Sequence, residues 1–486
     1  MTIGEQLASP ILAPHQREHY KHLPVPLEPQ VKPGSPWRQI FKLAFPNVGS
    51  SLAMYSTVVI TTLVISREDD PALLGAFGMG SLIANVLGLS IGVGLTSVLD
   101  TLVSQAYGAD NMKLAAVHLN RARLVVLVAS IPCCIALFFT DSLLLLMDQD
   151  PEVCRLAAEY TRSFMFGLPT FFLYFATSSF LRSVQHPKPP LVANVVGSII
   201  HLFVVIWFVN VLKWGLWGAG LAMSINSALR FLMLELFLSW KPELNGHIIT
   251  KETFSIRGIR HFLGLGIPSF LLVAVEWVAF ELQSVIAGWV STQGLAAHVA
   301  CVNVIAIVFM IPNGLSQSLS TLIGASLGEG LPQLGKDFAK KGLFLVTMLA
   351  STYGLLIWNF DPSIAKLYSS EPVTMQIMKQ LLKITAIFVL FDAWNTTCMG
   401  IIRGLGLQTR AAKLQILAMF GVMLPVGYFL YPYFGVAGIW YGSVSGMVTG
   451  ASFFVRVILT SDWTECSRRA IHESRMHILA STISDV

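Results

Sequence analysis

Residues 94–102 read GLTSVLDTL, and residues 314–322, about 220 positions further along, read GLSQSLSTL. Each stretch leads to a glycine at the same distance, Gly108 in the first copy and Gly328 in the second. Further matches occur in the same order along both halves: Pro46 with Pro268, Leu181-Arg182 with Ile402-Arg403, and residues 214–218 with 434–438. This order of matches indicates an internal duplication.

The composition identifies the class of protein that is duplicated. Of the 486 residues, 54% are hydrophobic and only 12% are charged, whereas soluble domains have about 25% charged residues. A soluble protein with so few charges would lack enough polar side chains to cover its surface. The chain is therefore predicted to be a membrane protein.

A membrane-spanning helix needs about 20 mainly apolar residues, because lipid offers no hydrogen bonds to the backbone. Twelve segments meet this requirement: 38–65, 73–106, 116–139, 155–181, 190–212, 217–239, 262–290, 295–327, 340–360, 377–402, 411–431 and 435–460. The segments 73–106 and 295–327 exceed the length that a bilayer requires, so we expect tilt, a kink or extension beyond the membrane. The predicted fold class is an all-α membrane protein with twelve transmembrane helices in two pseudo-symmetric six-helix lobes.

Positive charge predicts the orientation of these helices. About three quarters of the 32 lysines and arginines fall on the side that carries both termini. Both termini are therefore predicted to be cytosolic, in a plasma or vacuolar membrane. The predicted segments are a cytosolic tail (1–37), an N lobe (38–239), a cytosolic linker (240–261), a C lobe (262–462) and a second polar cytosolic tail (463–486).

The motifs that are absent from the sequence argue against several functions. It has no HExxH, HxxxxD or Walker motif, so neither a membrane-embedded enzyme nor an ATP-driven pump is expected. The sequence also lacks the repeated selectivity-filter pattern that would indicate a channel. The six cysteines have no metal-ligand spacing, and we expect no cofactor, no metal and no nucleic-acid partner. Paired six-helix repeats favour a transporter of small solutes that works as a monomer.

Four motifs resemble those of one transporter family. They are residues 100–108 (DTLVSQAYG), 276–281 (EWVAFE), 310–316 (MIPNGLS) and 403–408 (RGLGLQ). The four motifs occur in the order expected for this family. Over roughly residues 38–460, the chain resembles the eukaryotic branch of the multidrug and toxic compound extrusion (MATE) transporters.

The resemblance implies antiport of organic, often cationic, compounds against protons or sodium ions. It also implies a central cavity between the lobes that opens alternately to each side. By resemblance, Glu276 is the coupling carboxylate, Glu281 and Asp392 are cavity partners, and Asn303 lies nearby. Residues 45–49 (FPNVG) lack the first-helix aspartate of many bacterial relatives, so coupling is expected in the C lobe, with protons favoured over sodium.

The positions of the acids support this independently of the family. Glu276, Glu281 and Asp392 lie farthest from the ends of the predicted spans. A charged carboxylate in mid-membrane is costly, so it normally faces a cavity or a partner. Glu276 and Glu281 are five residues apart and differ by about 140° around a helix. Glu276 and Glu281 therefore cannot both point straight into one cavity. Each of the three acids could instead form a structural hydrogen bond between helices.

Other polar and aromatic residues have two open interpretations. Trp277, Trp394 and Tyr55 could stack on a flat organic cation or pack in the core or against lipid. A lipid-linked precursor flippase is the alternative within transport, but it would need an arginine-rich cavity. Here Arg230 is the lone arginine deep in a span, which favours cationic cargo.

Overall fold

The computed structural model describes residues 34–68, 71–247 and 249–484, and all regular structure in these ranges is helical. The described residues include twelve helices that are long and apolar enough to cross a membrane: α1 Pro36–Ile65, α2 Ala72–Gly108, α3 Met112–Phe138, α4 Pro151–Ser183, α5 Lys188–Val211, α6 Gly215–Trp240, α7 Ile256–Val290, α8 Thr292–Gly328, α9 Pro332–Asn359, α10 Pro372–Leu405, α11 Gln408–Phe434 and α12 Val436–Thr460. Each of the twelve predicted spans overlaps one of these helices, so the predicted fold class is confirmed.

Local sequence accounts for many of the helix ends. α1, α4, α9 and α10 each begin with a proline in the first turn, where the missing N–H removes no helical hydrogen bond. Asp150 caps α4, because its side chain accepts hydrogen bonds from the backbone N–H groups of Glu152 and Val153. Gly406 ends α10 with φ 72°, a left-handed conformation that glycine adopts without strain.

The two lobes, α1–α6 and α7–α12, share an irregular feature after their third helices. A short helix follows the third helix of each lobe, Thr140–Leu145 in the first and Asp361–Tyr368 in the second.

Both overlong helices extend beyond their predicted ends. α2 contains a π-helical segment at Asn85–Leu89, and α8 continues through Pro312.

Close backbone approaches join the lobes at the C-terminal ends of α2 and α8. A methyl group on Gly108 would lie 2.0 Å from the backbone oxygen of Ala325, and one on Gly324 would lie 1.9 Å from Ser104 Oγ. Deeper between the lobes, Asn47 Nδ2 donates to Ser318 Oγ at 2.8 Å. Small residues therefore let α2 and α8 touch directly across the interface between the lobes.

The C-terminal segment differs from the predicted polar tail. It forms a further helix, α13 (Trp463–Ser484). Ser467 Oγ donates to the Leu327 oxygen at 2.7 Å on the C lobe, and Asn111 Nδ2 of the N lobe donates to Ser474 Oγ at 3.0 Å. Buried Trp463, Cys466, Ala470 and Ser474 recur at helical spacing, a pattern hidden by the low hydrophobicity of the segment.

The linker is also shorter than predicted. α7 begins at Ile256 rather than at 262, because Ser255 caps the helix by accepting from the Gly258 N–H. The prediction of an N-terminal tail over 1–37 falls almost entirely on residues outside the described ranges.

Candidate functional site

Glu276 lies in the middle of α7 and points into the C lobe, with 7% of its surface exposed. The amide of Gln415 on α11 donates to its carboxylate, with Nε2 3.2 Å from Oε2. Within the described ranges, no lysine, arginine or histidine pairs with this carboxylate. An ionised Glu276 would therefore have a neutral donor but no counterion, which makes charge at this position expensive.

Asp392 on α10 is the second acid of this site. It is 3% exposed and interacts electrostatically with Glu276 on one side and with Tyr353 of α9 on another. No hydrogen-bond donor of the described residues contacts its carboxylate. Ionising both acids would place two like charges in one apolar interior, so the pair favours holding a proton.

Two amide side chains belong to the same region of the C lobe: Gln415 donates to Glu276, and Asn395 lies three residues after Asp392 on α10. Asn395 on α10 and Gln415 on α11 are both fully buried. Gln415 Oε1 and both polar atoms of Asn395 have no hydrogen-bond partner among the described residues. Sequence reasoning missed these two residues. The available signal was a polar side chain inside an apolar helix. Gln415 and Asn395 lie about 220 residues after Asn194 and Tyr174, so they occupy the equivalent positions of the repeat.

The equivalent positions of the N lobe are satisfied. Tyr174 Oη donates to Asn194 Oδ1 at 2.7 Å, and Asn194 Nδ2 donates to Ser50 Oγ at 2.7 Å. Arg230 donates through Nη2 to Thr57 Oγ1 at 2.6 Å, and no carboxylate pairs with it within the described ranges. At the positions of Tyr174 and Asn194 the N lobe pairs its polar groups, whereas the equivalent positions of the C lobe combine unpaired amide atoms with two buried acids.

Glu281 and Asn303 lie apart from this group. Glu281 is half-buried, as its angle from Glu276 around α7 predicts, and Asn303 is exposed on α8 in line with Val299 and Ile307. Among the described residues, no hydrogen bond joins either of them to Glu276 or Asp392. Of the four residues predicted for proton coupling and the substrate cavity, the structure therefore brings two together, Glu276 and Asp392.

The aromatic candidates have different surroundings. Trp394 Nε1 donates to Thr347 Oγ1 of α9 at 2.9 Å, so its ring is held between α10 and α9. Trp277 and Tyr55 are partly exposed. Of the three, Trp394 has a structural bond that accounts for its position.

A buried charge cluster spans the interface between the lobes. Asp100 of α2 is 3% exposed, with Arg182 Nη2 of the N lobe at 3.8 Å and Arg403 Nη1 of the C lobe at 3.9 Å. Ser179 Oγ donates to Asp100 Oδ1 at 2.5 Å. This pairing of Asp100 across the lobes was not predicted from the sequence.

Neutral side chains reinforce the same interface. Thr101 Oγ1 donates to the Arg403 oxygen at 2.5 Å, and Gln105 Nε2 donates to the Gly404 oxygen at 3.0 Å. Gln408 Nε2 in turn donates to Thr101 Oγ1 at 2.6 Å. We name this set, together with Asp100, Arg182 and Arg403, the interlobe clasp.

Comparison with known proteins identifies the family. The MatE family model matches twice, over residues 46–207 and 268–429. Multidrug and toxin extrusion protein 2 of Oryctolagus cuniculus is 30% identical over 445 residues, which cover 90% of this chain and 73% of that protein. Multidrug and toxin extrusion protein 1 of Homo sapiens is 30% identical over 405 residues, which cover 82% and 70%.

Solved structures have the same fold. The eukaryotic MATE transporter AtDTX14 aligns with a TM-score of 0.86 at 21% identity, over 90% of this chain and 99% of that one. An outward-facing multidrug resistance MATE family transporter of the MOP superfamily aligns with a TM-score of 0.78 at 19% identity, over 91% and 97%. The repeated family match and the relatives' identity show that this chain belongs to the MATE family, and it is accordingly a multi-pass membrane transporter rather than an enzyme.

Proposed function

We propose that the protein is a proton-coupled antiporter that exports small organic cations, with Glu276 as the residue that exchanges the proton. The observation that carries this proposal is the buried pair of acids in the C lobe, Glu276 and Asp392. The pair interacts electrostatically and has no counterion among the described residues. A group of this kind binds a proton or a cation far more readily than it stays empty and charged.

The names of the relatives support the cargo class. They are multidrug and toxin extrusion proteins, and a deep acidic site favours cationic over anionic compounds. Proton and cationic cargo would compete for the same negative charge, and this competition couples their opposite movements. Sodium is the alternative ion, but residues 45–49 (FPNVG) lack the first-helix aspartate of many bacterial relatives, which favours protons.

Alternating access supplies the second half of the mechanism. The interlobe clasp closes one end of the molecule, the end that also carries α13. We infer that both termini are cytosolic, so the described arrangement is closed towards the cytosol. Export requires the clasp to separate, admit cargo and close again, while Glu276 releases its proton on one side of the membrane and takes one up on the other.

The energy supply is sufficient for export. One pH unit of gradient supplies about 1.4 kcal/mol per proton. One exchanged proton therefore drives a concentration ratio of about tenfold per pH unit for a neutral solute.

The flippase alternative is less well supported. Arg230, the deep arginine of the N lobe, already donates to Thr57 and Ser198. Its Nε lacks a partner among the described residues, but one arginine is not the arginine-rich cavity that a phosphorylated head group would need. The C lobe offers acids instead, which would repel such a group.

Reconstituted protein tests the proposal. Proteoliposomes are loaded with a panel of organic cations, and a proton gradient or a sodium gradient is imposed separately. We expect saturable, proton-driven exchange that Glu281→Gln, a matched change five residues from Glu276, leaves largely intact. Exchange driven only by sodium would overturn the coupling ion, and a large ionic current would indicate a channel. The same preparation tests the expected monomer by its mass in detergent.

A further inference from the structure

A second group of charged residues lies beside α13, apart from the interlobe clasp. The Glu473 carboxylate of α13 faces one histidine from each lobe. Its Oε1 lies 3.9 Å from His118 Nε2 on α3 of the N lobe and 3.5 Å from His261 Nδ1 on α7 of the C lobe. One carboxylate of α13 is therefore shared between the two lobes, as the Asp100 carboxylate is in the clasp.

The linker between the lobes adds a second acid to this group. Glu252 Oε2 lies 2.6 Å from Nε2 of His477, which follows Glu473 by one turn of α13. Arg121 Nη2 of α3 donates to the backbone oxygen of Glu252 at 2.8 Å, and its guanidinium interacts electrostatically with both glutamates. We name the whole set the α13 charge cluster: His118, Arg121, Glu252, His261, Glu473 and His477.

The cluster lies at the closed end of the molecule, where the lobes touch. A methyl group on Gly258, in the first turn of α7, would lie 2.3 Å from Arg121 Nη2, so α7 and α3 are in close contact there. α13 is also bonded to the C lobe through Ser467 and to the N lobe through Ser474. Separation of the lobes at this end therefore requires that α13 leave at least one of them.

The charges of the cluster do not balance without a proton. With neutral imidazoles, two carboxylates face one guanidinium, which leaves a net charge of −1. Histidine is the side chain that gains or loses a proton near neutral pH. His118 interacts electrostatically with Arg121, His261 and His477, so charged imidazoles in this group repel one another. The cluster therefore favours the uptake of one proton over the uptake of three.

We propose that the α13 charge cluster is a proton-binding site, separate from Glu276, that fastens α13 across both lobes when it is protonated. A proton on His261 gives Glu473 a cationic partner from the C lobe, and a proton on His477 ties α13 to Glu252 of the linker. This stabilisation is present at acidic pH and is lost as the pH rises past neutral, because only the docked helix offers the carboxylate partners. If this face is cytosolic, as the proposed function requires, acidification of the cytosol slows opening and export.

Hydrogen–deuterium exchange of the α13 backbone amides tests the proposal. The whole chain is held in lipid nanodiscs without cargo and without a gradient, and protection is corrected for the intrinsic effect of pH on exchange. In the wild type, we expect the protection of α13 to be about three- to tenfold higher at about pH 6 than at about pH 8.

Two variants should remove this pH dependence. Glu473→Gln leaves one carboxylate beside one guanidinium, so the cluster needs no proton for balance. The double variant His261→Gln/His477→Gln removes the two imidazoles that face the acids from α7 and α13. In both, protection at the two pH values should agree within about a factor of two. His472→Gln is the matched control, because His472 is an exposed histidine on the same helix, and it should keep the wild-type ratio.

Two results would overturn the proposal. One, which needs no variant, is equal protection of α13 at the two pH values in the wild type. The other is a wild-type ratio in both Glu473→Gln and the double variant. A purely structural role would give this second result, because it lowers protection at both pH values and leaves their ratio unchanged. The proposed function fails separately, if wild-type protein in liposomes shows no proton-driven exchange.

Discussion

The interlobe clasp predicts how the protein responds when its shared carboxylate is lost. Asp100→Asn removes the negative charge that lies between Arg182 of the N lobe and Arg403 of the C lobe. The two guanidinium groups, which repel each other, then face each other without a counterion. We expect the lobes to separate more often at this end.

The size of the effect follows from the distances. At 3.9 Å and an effective dielectric constant of about 20, one pair of unit charges interacts by about 4 kcal/mol. Much of this is offset because both groups regain water when the lobes separate. A net contribution of about 1–2 kcal/mol remains, which corresponds to roughly a 5- to 30-fold change in the equilibrium between closed and open arrangements.

Cysteine labelling measures this equilibrium. The six native cysteines are replaced, and Ser104, fully buried against Gly324, becomes the single cysteine. Its reaction with a membrane-permeant maleimide should accelerate in Asp100→Asn. Asp141→Asn, which breaks an ion pair with Arg162 inside the N lobe, should leave the rate unchanged. Equal labelling rates in wild type and Asp100→Asn would refute the reasoning.

Three further predictions concern stability and the closed end. Gly108→Ala places a methyl group 2.0 Å from the Ala325 oxygen, so the thermal midpoint should fall and maleimide labelling at the interface should rise. Gly78→Ala is the control, because its methyl group meets nothing within 4 Å, and it should change neither quantity. A chain that lacks α13 loses hydrogen bonds to both lobes and should label faster at the interface, as followed by the same maleimide assay. Trp394→Phe removes the bond to Thr347 and should lower stability by about 1 kcal/mol in thermal unfolding while transport persists; loss of transport in folded protein would instead give Trp394 a role in the cavity.

The membrane helices were predictable because their signal is local. Twenty apolar residues in a row, the repeat at about 220 residues and the helix-starting prolines are all visible in the sequence. α13 was not predicted, because only every third or fourth residue contacts the protein and the rest of the helix is polar. Its docking depends on the C-terminal ends of α2 and α8, which are adjacent only in the folded chain.

The site was predictable only where a residue is chemically unusual in its own helix. Glu276 and Asp392 stand out as acids far from span ends, and the structure places them in one site. Gln415 and Asn395 are neutral, so each resembles an ordinary helix-packing residue until three helices are brought together. The pairing of Asp100 with Arg403 likewise joins residues from different lobes, which a linear sequence does not align.

Gradient-driven uptake by Glu276→Gln tests the central claim most directly. The variant is reconstituted beside the wild type, at matched protein content, and cargo accumulation is followed after a pH jump. Glutamine keeps the shape and the neighbouring amide contact but has no titratable proton. Accumulation in response to the pH gradient should disappear, while the variant remains folded in the membrane. Accumulation equal to that of the wild type would contradict the assignment of proton exchange to this carboxyl group.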